Sequence, residues 1–282
     1  MVAYLGTGLL GAGFVRALLA KGEQVRIWNR TPEKATALQQ YGAIVCASPA
    51  EAVAGADRIH LTLKDDASVN EVLLAAKPGM KSGAIIADHT TTSVSGAIER
   101  TAQWKADGFT YVHAPVFMGP VNSLESTGYM LVSGDRDVVD AVKPMLAPMT
   151  GKVLDFGNET GKAAGMKLAG NLFLIAFTAG ISDTLSLTSS LGIPSADVAA
   201  LFSEWNPGAM LQARLKRMTS GNFDNPSWEL SMARKDAGLM MAEANKAGRP
   251  LTVIPAVATE MDKWIADGFG KSDWTVFAKD YI

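Results

Sequence analysis

Short apolar runs alternate with helical patterns along the first half of this chain. The apolar runs predict strands at residues 2–5, 24–28, 43–45, 58–63, 84–87, 110–113, 129–133 and 153–155. Between them, apolar residues recur at helical spacing, which predicts helices at residues 9–20, 48–54, 67–74, 94–106 and 135–146, and one that begins after a capping Thr31. This alternation is typical of a parallel sheet with crossover helices.

The pattern changes near Gly157, because strand-like alternation ends there. Helical periodicity continues from about residue 160 to 190, and further helices are predicted after Pro194 and at residues 209–218, 230–247 and 254–267. We therefore predict two domains, an α/β domain over residues 1–157 and an all-helical domain over residues 158–282.

The long predicted helix contains an apolar run from Leu168 to Ile181. We interpret this run as too short to span a bilayer, and it includes the polar Asn171 with Asp183 just beyond it. We therefore predict a helix that is buried on most sides, and no membrane partner. The apolar N-terminus lacks a preceding basic segment, so we expect no signal peptide and a cytoplasmic protein.

Composition limits the classes of function. Of 282 residues, 48% are hydrophobic and 19% are charged, which predicts a globular protein with a sizeable core. The formal net charge of −2 argues against a nucleic-acid partner. A single cysteine, Cys46, and three histidines without metal-ligand spacing predict no internal disulfide and no metal site.

A glycine-rich turn, Gly6-x-Gly8-x-x-Gly11, follows the first predicted strand and begins a helix. Glycines at this spacing allow a tight turn, and they let backbone N–H groups approach a pyrophosphate. The strand before the turn and the helix after it provide the context that this motif requires. The sequence therefore predicts a dinucleotide site.

The end of the second predicted strand bears on the choice of cofactor. An NAD enzyme normally places a carboxylate there, whereas this chain has Asn29-Arg30-Thr31. The Arg30 guanidinium can pair with a 2′-phosphate, so we predict that NADPH is preferred over NADH. The alternatives are that Arg30 is only a surface charge or that both cofactors are accepted.

An amine and a carboxamide lie four residues apart at Lys167 and Asn171, hence on one helical face. Apolar neighbours surround them, and polar groups in such a setting need a partner or a function. A lysine near a nicotinamide can carry the proton that accompanies a hydride, and the amide can orient the receiving oxygen. The alternative is an ordinary solvated face.

Six motifs along the chain are Gly6-x-Gly8-Leu9-Leu10-Gly11, Trp28-Asn29-Arg30-Thr31, Asp88-His89-Thr90-Thr91, Ala114-Pro115-Val116, Gly165-x-Lys167-x-x-x-Asn171 and Lys235-Asp236. In these motifs and their order the chain resembles the β-hydroxyacid dehydrogenases, the relatives of 3-hydroxyisobutyrate dehydrogenase, tartronate semialdehyde reductase and the 6-phosphogluconate dehydrogenases. The resemblance covers essentially the whole chain. It implies a Rossmann-type, doubly wound N-terminal domain, a long interdomain helix, an all-α C-terminal domain, and a homodimer or homotetramer.

The resemblance also implies roles for individual residues. Lys167 would be the general acid/base and Asn171 its substrate-orienting neighbour. Thr91 would approach the nicotinamide end, and Lys235 would reach the cofactor from the helical domain. The complete set of predicted cofactor-binding residues is Gly6, Gly8, Leu9, Leu10, Gly11, Asn29, Arg30, Thr31, Leu63, Lys64, Thr91 and Lys235.

One loop departs from the family. The family commonly has Asp-Ala-Pro-Val-Ser-Gly-Gly, whereas this chain continues after His113-Ala114-Pro115-Val116 with Phe117 and Met118. The change removes a hydroxyl donor and adds apolar bulk, so we predict an apolar pocket. This prediction argues against a short hydroxy acid, held by its carboxylate, as the substrate. The predicted substrate-binding residues are Phe117, Met118, Gly119, Asn122 and Trp205. Substitute donors could come from Asn122, Ser123, Ser126 or Thr127.

These features predict an NADPH-dependent oxidoreductase that interconverts a carbonyl (aldehyde, semialdehyde or β-keto acid) and the corresponding alcohol or β-hydroxy acid. The altered loop also resembles that of imine reductases, which share the implied fold. Those enzymes usually have Asp or Tyr at the lysine position, whereas this chain keeps Lys167. Imine reduction and non-catalytic NADPH binding remain the alternatives.

Overall fold

A computed structural model describes residues 1–282. The chain divides into two compact units, Met1–Asn171 and Leu172–Ile282. The strands are β1 (Val2–Leu5), β2 (Val25–Trp28), β3 (Ile44–Val45), β4 (Arg58–Leu61), β5 (Ile85–Asp88), β6 (Thr110–His113), β7 (Val116–Phe117), β8 (Tyr129–Val132) and β9 (Lys152–Asp155). The α-helices are α1 (Leu9–Ala20), α2 (Pro32–Thr36), α3 (Pro49–Val53), α4 (Asp66–Ala76), α5 (Val94–Ala106), α6 (Pro120–Glu125), α7 (Arg136–Leu146), α8 (Lys162–Ser190), α9 (Ser195–Glu204), α10 (Leu211–Thr219), α11 (Leu230–Lys246) and α12 (Ile254–Trp264).

The first unit is built on a six-stranded parallel sheet of order β3-β2-β1-β4-β5-β6. All four residues of β1 are fully buried, because helices cover both faces. Val2 and Tyr4 belong to the core cluster on the α1 and α7 side, and Ala3 and Leu5 belong to the cluster on the α3 and α4 side. The predicted Rossmann-type α/β fold is confirmed.

The carboxyl ends of the strands form the functional edge of this sheet. Leu5 at the end of β1 pairs with Trp28 on one side and with Leu61 on the other. Asp88 at the end of β5 pairs in turn with Leu61 and with His113. The strand order reverses at β1, and ligands of such sheets bind outside the carboxyl ends at that point.

A second, three-stranded sheet has the order β7-β8-β9, with β7 antiparallel to β8. The sequence patterns predict β8 and β9 but neither β7 nor the short helix α6. Strand β7 directly follows Pro115, and α6 begins at Gly119-Pro120, so both lie in a segment whose Gly and Pro residues indicate a turn or a loop. The loop in which this chain departs from the family's sequence therefore forms the strand β7 and the short helix α6.

The second unit has its own core, formed by residues of α11, α12 and the segments that flank them, including Phe223, Met261 and Trp264. Asp183 fixes the start of α12, because its buried carboxylate accepts hydrogen bonds from the backbone N–H groups of Thr252, Val253 and Ile254 at 2.8 to 3.1 Å. Such a carboxylate satisfies donors that a helix start otherwise leaves unpaired.

The helix α8 extends as predicted but is not buried on most sides, so that expectation is wrong for the single chain. Leu172 is 71% exposed and Ile175 is 70% exposed. The predicted apolar run from Leu168 to Ile181 is only part of this helix, which has 29 residues and could cross a membrane by length and composition alone. Apolar side chains occupy several faces of α8, and the chain itself covers few of them.

We expect a second copy of the chain to cover this apolar surface of α8, since exposed apolar patches of this extent mark association sites. Light scattering at micromolar concentration should give the mass of a dimer or tetramer. Replacing Leu172 and Ile175 together by Gln should shift the population toward monomer, whereas Leu74→Gln, at another exposed leucine, should not. A strict monomer for the unmodified protein would contradict the prediction.

Candidate active site

A crevice of about 500 Å³ lies outside the carboxyl ends of β1, β2 and β4. Its walls come from the turn after β1, the segment after β2, the segment after β4, and α4. The residues that line it are Gly6, Gly8, Leu9, Leu10, Gly11, Trp28, Asn29, Arg30, Thr31, Lys34, Thr62, Leu63, Lys64, Ser68 and Val72. The structure thus brings together all the predicted cofactor-binding residues except Thr91 and Lys235.

The three fingerprint glycines have different physical tasks. Gly6 has a φ of +94°, and a Cβ atom there would lie 2.3 Å from the Thr62 carbonyl oxygen. A Cβ atom on Gly11 would lie 2.0 Å from the Gly6 carbonyl oxygen. Gly8 has open space at the corresponding position, so the bare backbone is accessible from the crevice. Two of the glycines therefore permit close packing, and the third admits a ligand.

The start of α1 provides donors for an anion. Gly8 is the N-terminal capping residue, no side chain caps the helix, and the first turn carries no acidic residue. The free N–H groups and the helix dipole of such a terminus attract phosphate. These properties fit the pyrophosphate of a dinucleotide.

Side chains after β2 give the crevice its charge. Asn29 supports the glycine turn, because its Oδ1 accepts from the Thr7 N–H at 2.9 Å. Arg30, Lys34 and Lys64 are exposed cations on the lining. The absence of any carboxylate on the lining and the presence of three cations fit a cofactor with an additional phosphate.

Thr91 lies in the loop between β5 and α5, where it is exposed. Its neighbours are buried and fixed: the Thr90 Oγ1 accepts from the Leu63 N–H at 3.0 Å, and the Thr90 N–H donates to Asp88 Oδ1 at 2.9 Å. The Thr90 carbonyl oxygen accepts from His113 Nε2 at 2.9 Å. Thr91 therefore stands on a rigid loop beyond the carboxyl end of β5, adjoining the segment after β4.

The predicted pair Lys167 and Asn171 is in direct contact. Lys167 Nζ donates to Asn171 Oδ1 at 3.0 Å and lies 4.3 Å from the centroid of the Phe117 ring. Phe117 approaches α8 closely at Gly170, where a Cβ atom would lie 2.3 Å from the ring. The altered loop and the lysine therefore belong to one site.

Burial controls the chemistry of this lysine. Lys167 is 9% exposed, and burial lowers the pKa of its amine below the ordinary value of a lysine. The bond to Asn171 uses the amide oxygen, which leaves the amide Nδ2 as a donor for another group. An amine with a lowered pKa beside a free amide donor can exchange a proton with a substrate oxygen while that oxygen is held.

The candidate substitute donors mostly stabilise their own loop. Asn122 Oδ1 accepts from the Gly119 N–H at 2.9 Å, and its Nδ2 donates to Thr127 Oγ1 at 3.0 Å. Ser123 is fully buried, with its hydroxyl on the Pro120 carbonyl oxygen. The Ser126 hydroxyl accepts a hydrogen bond from Lys21 Nζ. The Met118 side chain packs against the core cluster that includes residues of α1. In this structure the polar groups of the loop are paired with the loop itself or with its neighbours.

Two predicted site residues, Trp205 and Lys235, belong to the second unit. Trp205 is exposed and stacks on Phe202 with 6.0 Å between ring centroids. Lys235 is exposed on α11 and forms an ion pair with Asp236 at 3.0 Å. Their roles toward cofactor and substrate stay predictions.

The sequence analysis missed a buried polar layer behind the crevice. His89 Nδ1 donates to the Ala114 carbonyl oxygen at 2.8 Å, so its Nε2 accepts from His60 Nδ1 at 3.0 Å. Asp88 accepts from the Tyr111 hydroxyl at 2.7 Å. Asp88 and His89 directly follow the predicted strand 84–87, and His113 ends the predicted strand 110–113. These residues were the available signal, because parallel strands bring their carboxyl ends together.

Comparison with known proteins agrees with this geometry. Residues 1–157, more than half of the chain, match the sequence model of a family described as the NAD binding domain of 6-phosphogluconate dehydrogenase. Fold, crevice and match define an NAD(P)-dependent oxidoreductase. Within that class, the chain belongs to the 6-phosphogluconate dehydrogenase-like family, that is, to the β-hydroxyacid dehydrogenase-like proteins that its motifs resemble.

Individual relatives align over almost the full length. An uncharacterized oxidoreductase of Shewanella frigidimarina is 27% identical, over 91% of this chain and 89% of that protein. The 3-sulfolactaldehyde reductase of Escherichia coli is 26% identical, over 97% and 93%. The solved structure of an imine reductase from Myxococcus stipitatus in complex with NADP+ has a TM-score of 0.93 at 18% identity, over 100% of both chains. That structural likeness establishes the fold.

The buried histidines predict acid sensitivity. Burial lowers the pKa of His89 to about 4, and it also lowers those of His60 and His113. In the unfolded chain the histidine pKa values lie near 6.5, so below that pH the unfolded chain binds more protons than the folded one. The free energy of unfolding is therefore unaffected by the histidines above about pH 6.5 and falls as the pH is lowered. For His89 alone, the loss at pH 5 should be about 2 kcal/mol.

Urea unfolding at pH 7.5, 6.5 and 5.5 would measure this dependence. All three histidines are buried, so no exposed histidine contributes to it. His89→Gln keeps a donor and an acceptor but does not titrate, so its unfolding free energy should depend less on pH. A free energy of unfolding that is constant from pH 7.5 to 5.5 in the unmodified protein would be the contrary result.

Proposed function

We propose that this protein is an NADPH-dependent reductase of carbonyl compounds, with Lys167 as general acid/base and Asn171 as its substrate-orienting partner. The observation that carries the proposal is the buried 3.0 Å contact between Lys167 Nζ and Asn171 Oδ1 beside Phe117. We also propose that the enzyme acts in the cytoplasm, which the single buried Cys46 supports.

The bound nicotinamide would supply the hydride for a carbonyl carbon. Lys167 would donate a proton to the developing alkoxide in reduction and accept it in the reverse oxidation. Because burial lowers its pKa, Lys167 gives up a proton more readily than an exposed lysine does. Asn171 Nδ2 would hold the substrate oxygen by a hydrogen bond, and Phe117 would exclude water from the lysine.

The substrate class follows from the same loop. Phe117 lies against the lysine, and the polar side chains nearby in sequence are bonded within the loop. We therefore propose aldehydes or ketones with a hydrophobic substituent, or small semialdehydes held by other donors. The E. coli relative named 3-sulfolactaldehyde reductase supports the reduction of an aldehyde.

Imine reduction is the second candidate. The observation that favours it is the apolar loop at Phe117 and Met118, together with the similarity to a solved imine reductase in complex with NADP+. Lys167 speaks for the carbonyl reaction, because an alkoxide needs a proton donor at this position. A panel of aldehydes, semialdehydes, keto acids and cyclic imines, followed by NADPH absorbance, would separate the two reactions.

Removing the proposed acid should slow the chemical step. We expect Lys167→Ala to lower kcat on the best carbonyl substrate by about 10²–10⁴. NADPH affinity should change little, since the proposed phosphate contacts lie at the glycine turn. The measurement is steady-state turnover together with cofactor titration by fluorescence.

Lys162→Ala is the matched control, because this lysine lies earlier on α8, is exposed, and pairs only with Glu159. It should keep near-normal kcat. If Lys167→Ala also kept near-full turnover of a carbonyl, the acid would lie elsewhere, and imine reduction would become the better assignment.

Cofactor preference is proposed to depend on Arg30. Arg30→Asp should weaken NADPH binding by roughly ten- to a hundred-fold and leave NADH binding unchanged, because a guanidinium–phosphate pair is a strong charge-assisted contact. Lys152→Asp removes a cation from exposed β9, outside the crevice, and should change neither affinity. Equal affinities of the unmodified protein for the two cofactors would contradict the assignment.

A further inference from the structure

One carboxylate at the rim of the crevice has no role in the cofactor assignment. Glu71 lies on α4 between Ser68 and Val72, and both of these residues line the crevice. Its Oε2 is 2.7 Å from an Arg30 Nη2. Because Arg30 follows β2, this ion pair joins two walls of the crevice across its opening.

The position of this carboxylate has a chemical meaning. Enzymes that use NAD place an acidic residue at the end of the second strand, where it binds the ribose hydroxyls and repels a 2′-phosphate. The sequence lacks an acidic residue there, since it has Asn29-Arg30-Thr31. The fold brings the Glu71 carboxylate to Arg30 from a different element, more than 40 residues later in the chain.

The ion pair is weak enough to exchange. Arg30 and Glu71 are 62% and 68% exposed, and exposed pairs of this kind contribute little. A phosphate carries more charge than a carboxylate and can bind a guanidinium through two oxygens. Lys34 and Lys64 also line the crevice and would attract the same phosphate. A 2′-phosphate can therefore displace Glu71, at the cost of one ion pair.

We propose that Glu71 is a cofactor-specificity residue: it competes with the 2′-phosphate for Arg30 and thereby limits the preference for NADPH. The inference rests on the proposed role of Arg30. A cofactor without the 2′-phosphate leaves the ion pair intact, so Glu71 does not oppose its binding. Glu71 therefore weakens the binding of NADPH and leaves the binding of NADH unchanged, which makes the two affinities more similar.

Adenosine 2′,5′-bisphosphate and adenosine 5′-monophosphate isolate this end of the cofactor without any turnover. Calorimetry should show that Glu71→Gln binds the bisphosphate about three- to five-fold more tightly, with binding of the monophosphate unchanged. Glu99→Gln removes an equal charge from the exposed surface of α5 and should alter neither. Unchanged or weaker binding of the bisphosphate by Glu71→Gln would overturn the inference.

Combination with Arg30→Ala separates this inference from the proposed function. If Glu71 acts through Arg30, Glu71→Gln should have little effect in the Arg30→Ala background. An effect of full size in that background would overturn competition for the guanidinium. If Arg30→Ala alone leaves bisphosphate binding unchanged, the proposed role of Arg30 and the inference about Glu71 both fail. If Arg30→Ala weakens binding but Glu71→Gln has no effect, only the role of Glu71 fails.

Whole cofactors give the final readout. The ratio of the Kd of NADH to that of NADPH, measured by fluorescence titration, should rise about three- to five-fold in Glu71→Gln. High salt should reduce this difference, because exposed charges are screened within about 10 Å at 0.1 M ionic strength. A ratio that does not rise at low salt would overturn the inference.

Discussion

The close approach of α1 to the turn after β1 is the constraint on which the crevice depends. A side chain at Gly11 would collide with the Gly6 carbonyl oxygen, and one at Gly6 would collide with the Thr62 carbonyl oxygen. With no side chain at either position, the first turn of α1 lies directly on the carboxyl ends of β1 and β4. That placement leaves the uncapped N–H groups of α1 and the open space at Gly8 facing the crevice. The shape of the site and the exposure of its backbone donors therefore follow from two missing side chains, while Arg30, Lys34 and Lys64 supply its positive charge.

A second close approach organises the proposed proton donor. Phe117 packs on α8 at Gly170, which has no side chain to hold it away. The ring then lies 4.3 Å from Lys167 Nζ and helps to bury it. In the family's usual loop a serine would stand at this position, so here the amine meets an aromatic face instead of a hydroxyl. Lys167 and Asn171 then supply the polar groups of the site, and Phe117 supplies an apolar surface beside them. This arrangement is the reason why the proposed substrates carry a hydrophobic substituent.

Much of the fold and of the candidate site could be predicted from local patterns. The strands, the glycine turn and the pair of Lys167 and Asn171 are visible because each depends on residues within a few positions of one another. Strand β7 was missed because it lies between Pro115 and the Gly119-Pro120 pair, which indicate a turn or a loop. The buried layer of His60 and His89 was missed because its contacts join separate strands, and a histidine between apolar residues has no distinctive sequence signal.

The sequence by itself determined the order of strands and helices, the nucleotide-binding turn and the spacing of the amine and the amide, since these are properties of short segments. Only the tertiary structure decided that α8 exposes much of its apolar surface, because periodicity shows which residues are apolar but not what covers them. It also decided that a carboxylate meets Arg30. No acidic residue stands at the end of β2, and the carboxylate that contacts Arg30 is that of Glu71 on α4. This contact exists only in the folded chain, because the parallel sheet places the end of β2 and α4 on two walls of the same crevice.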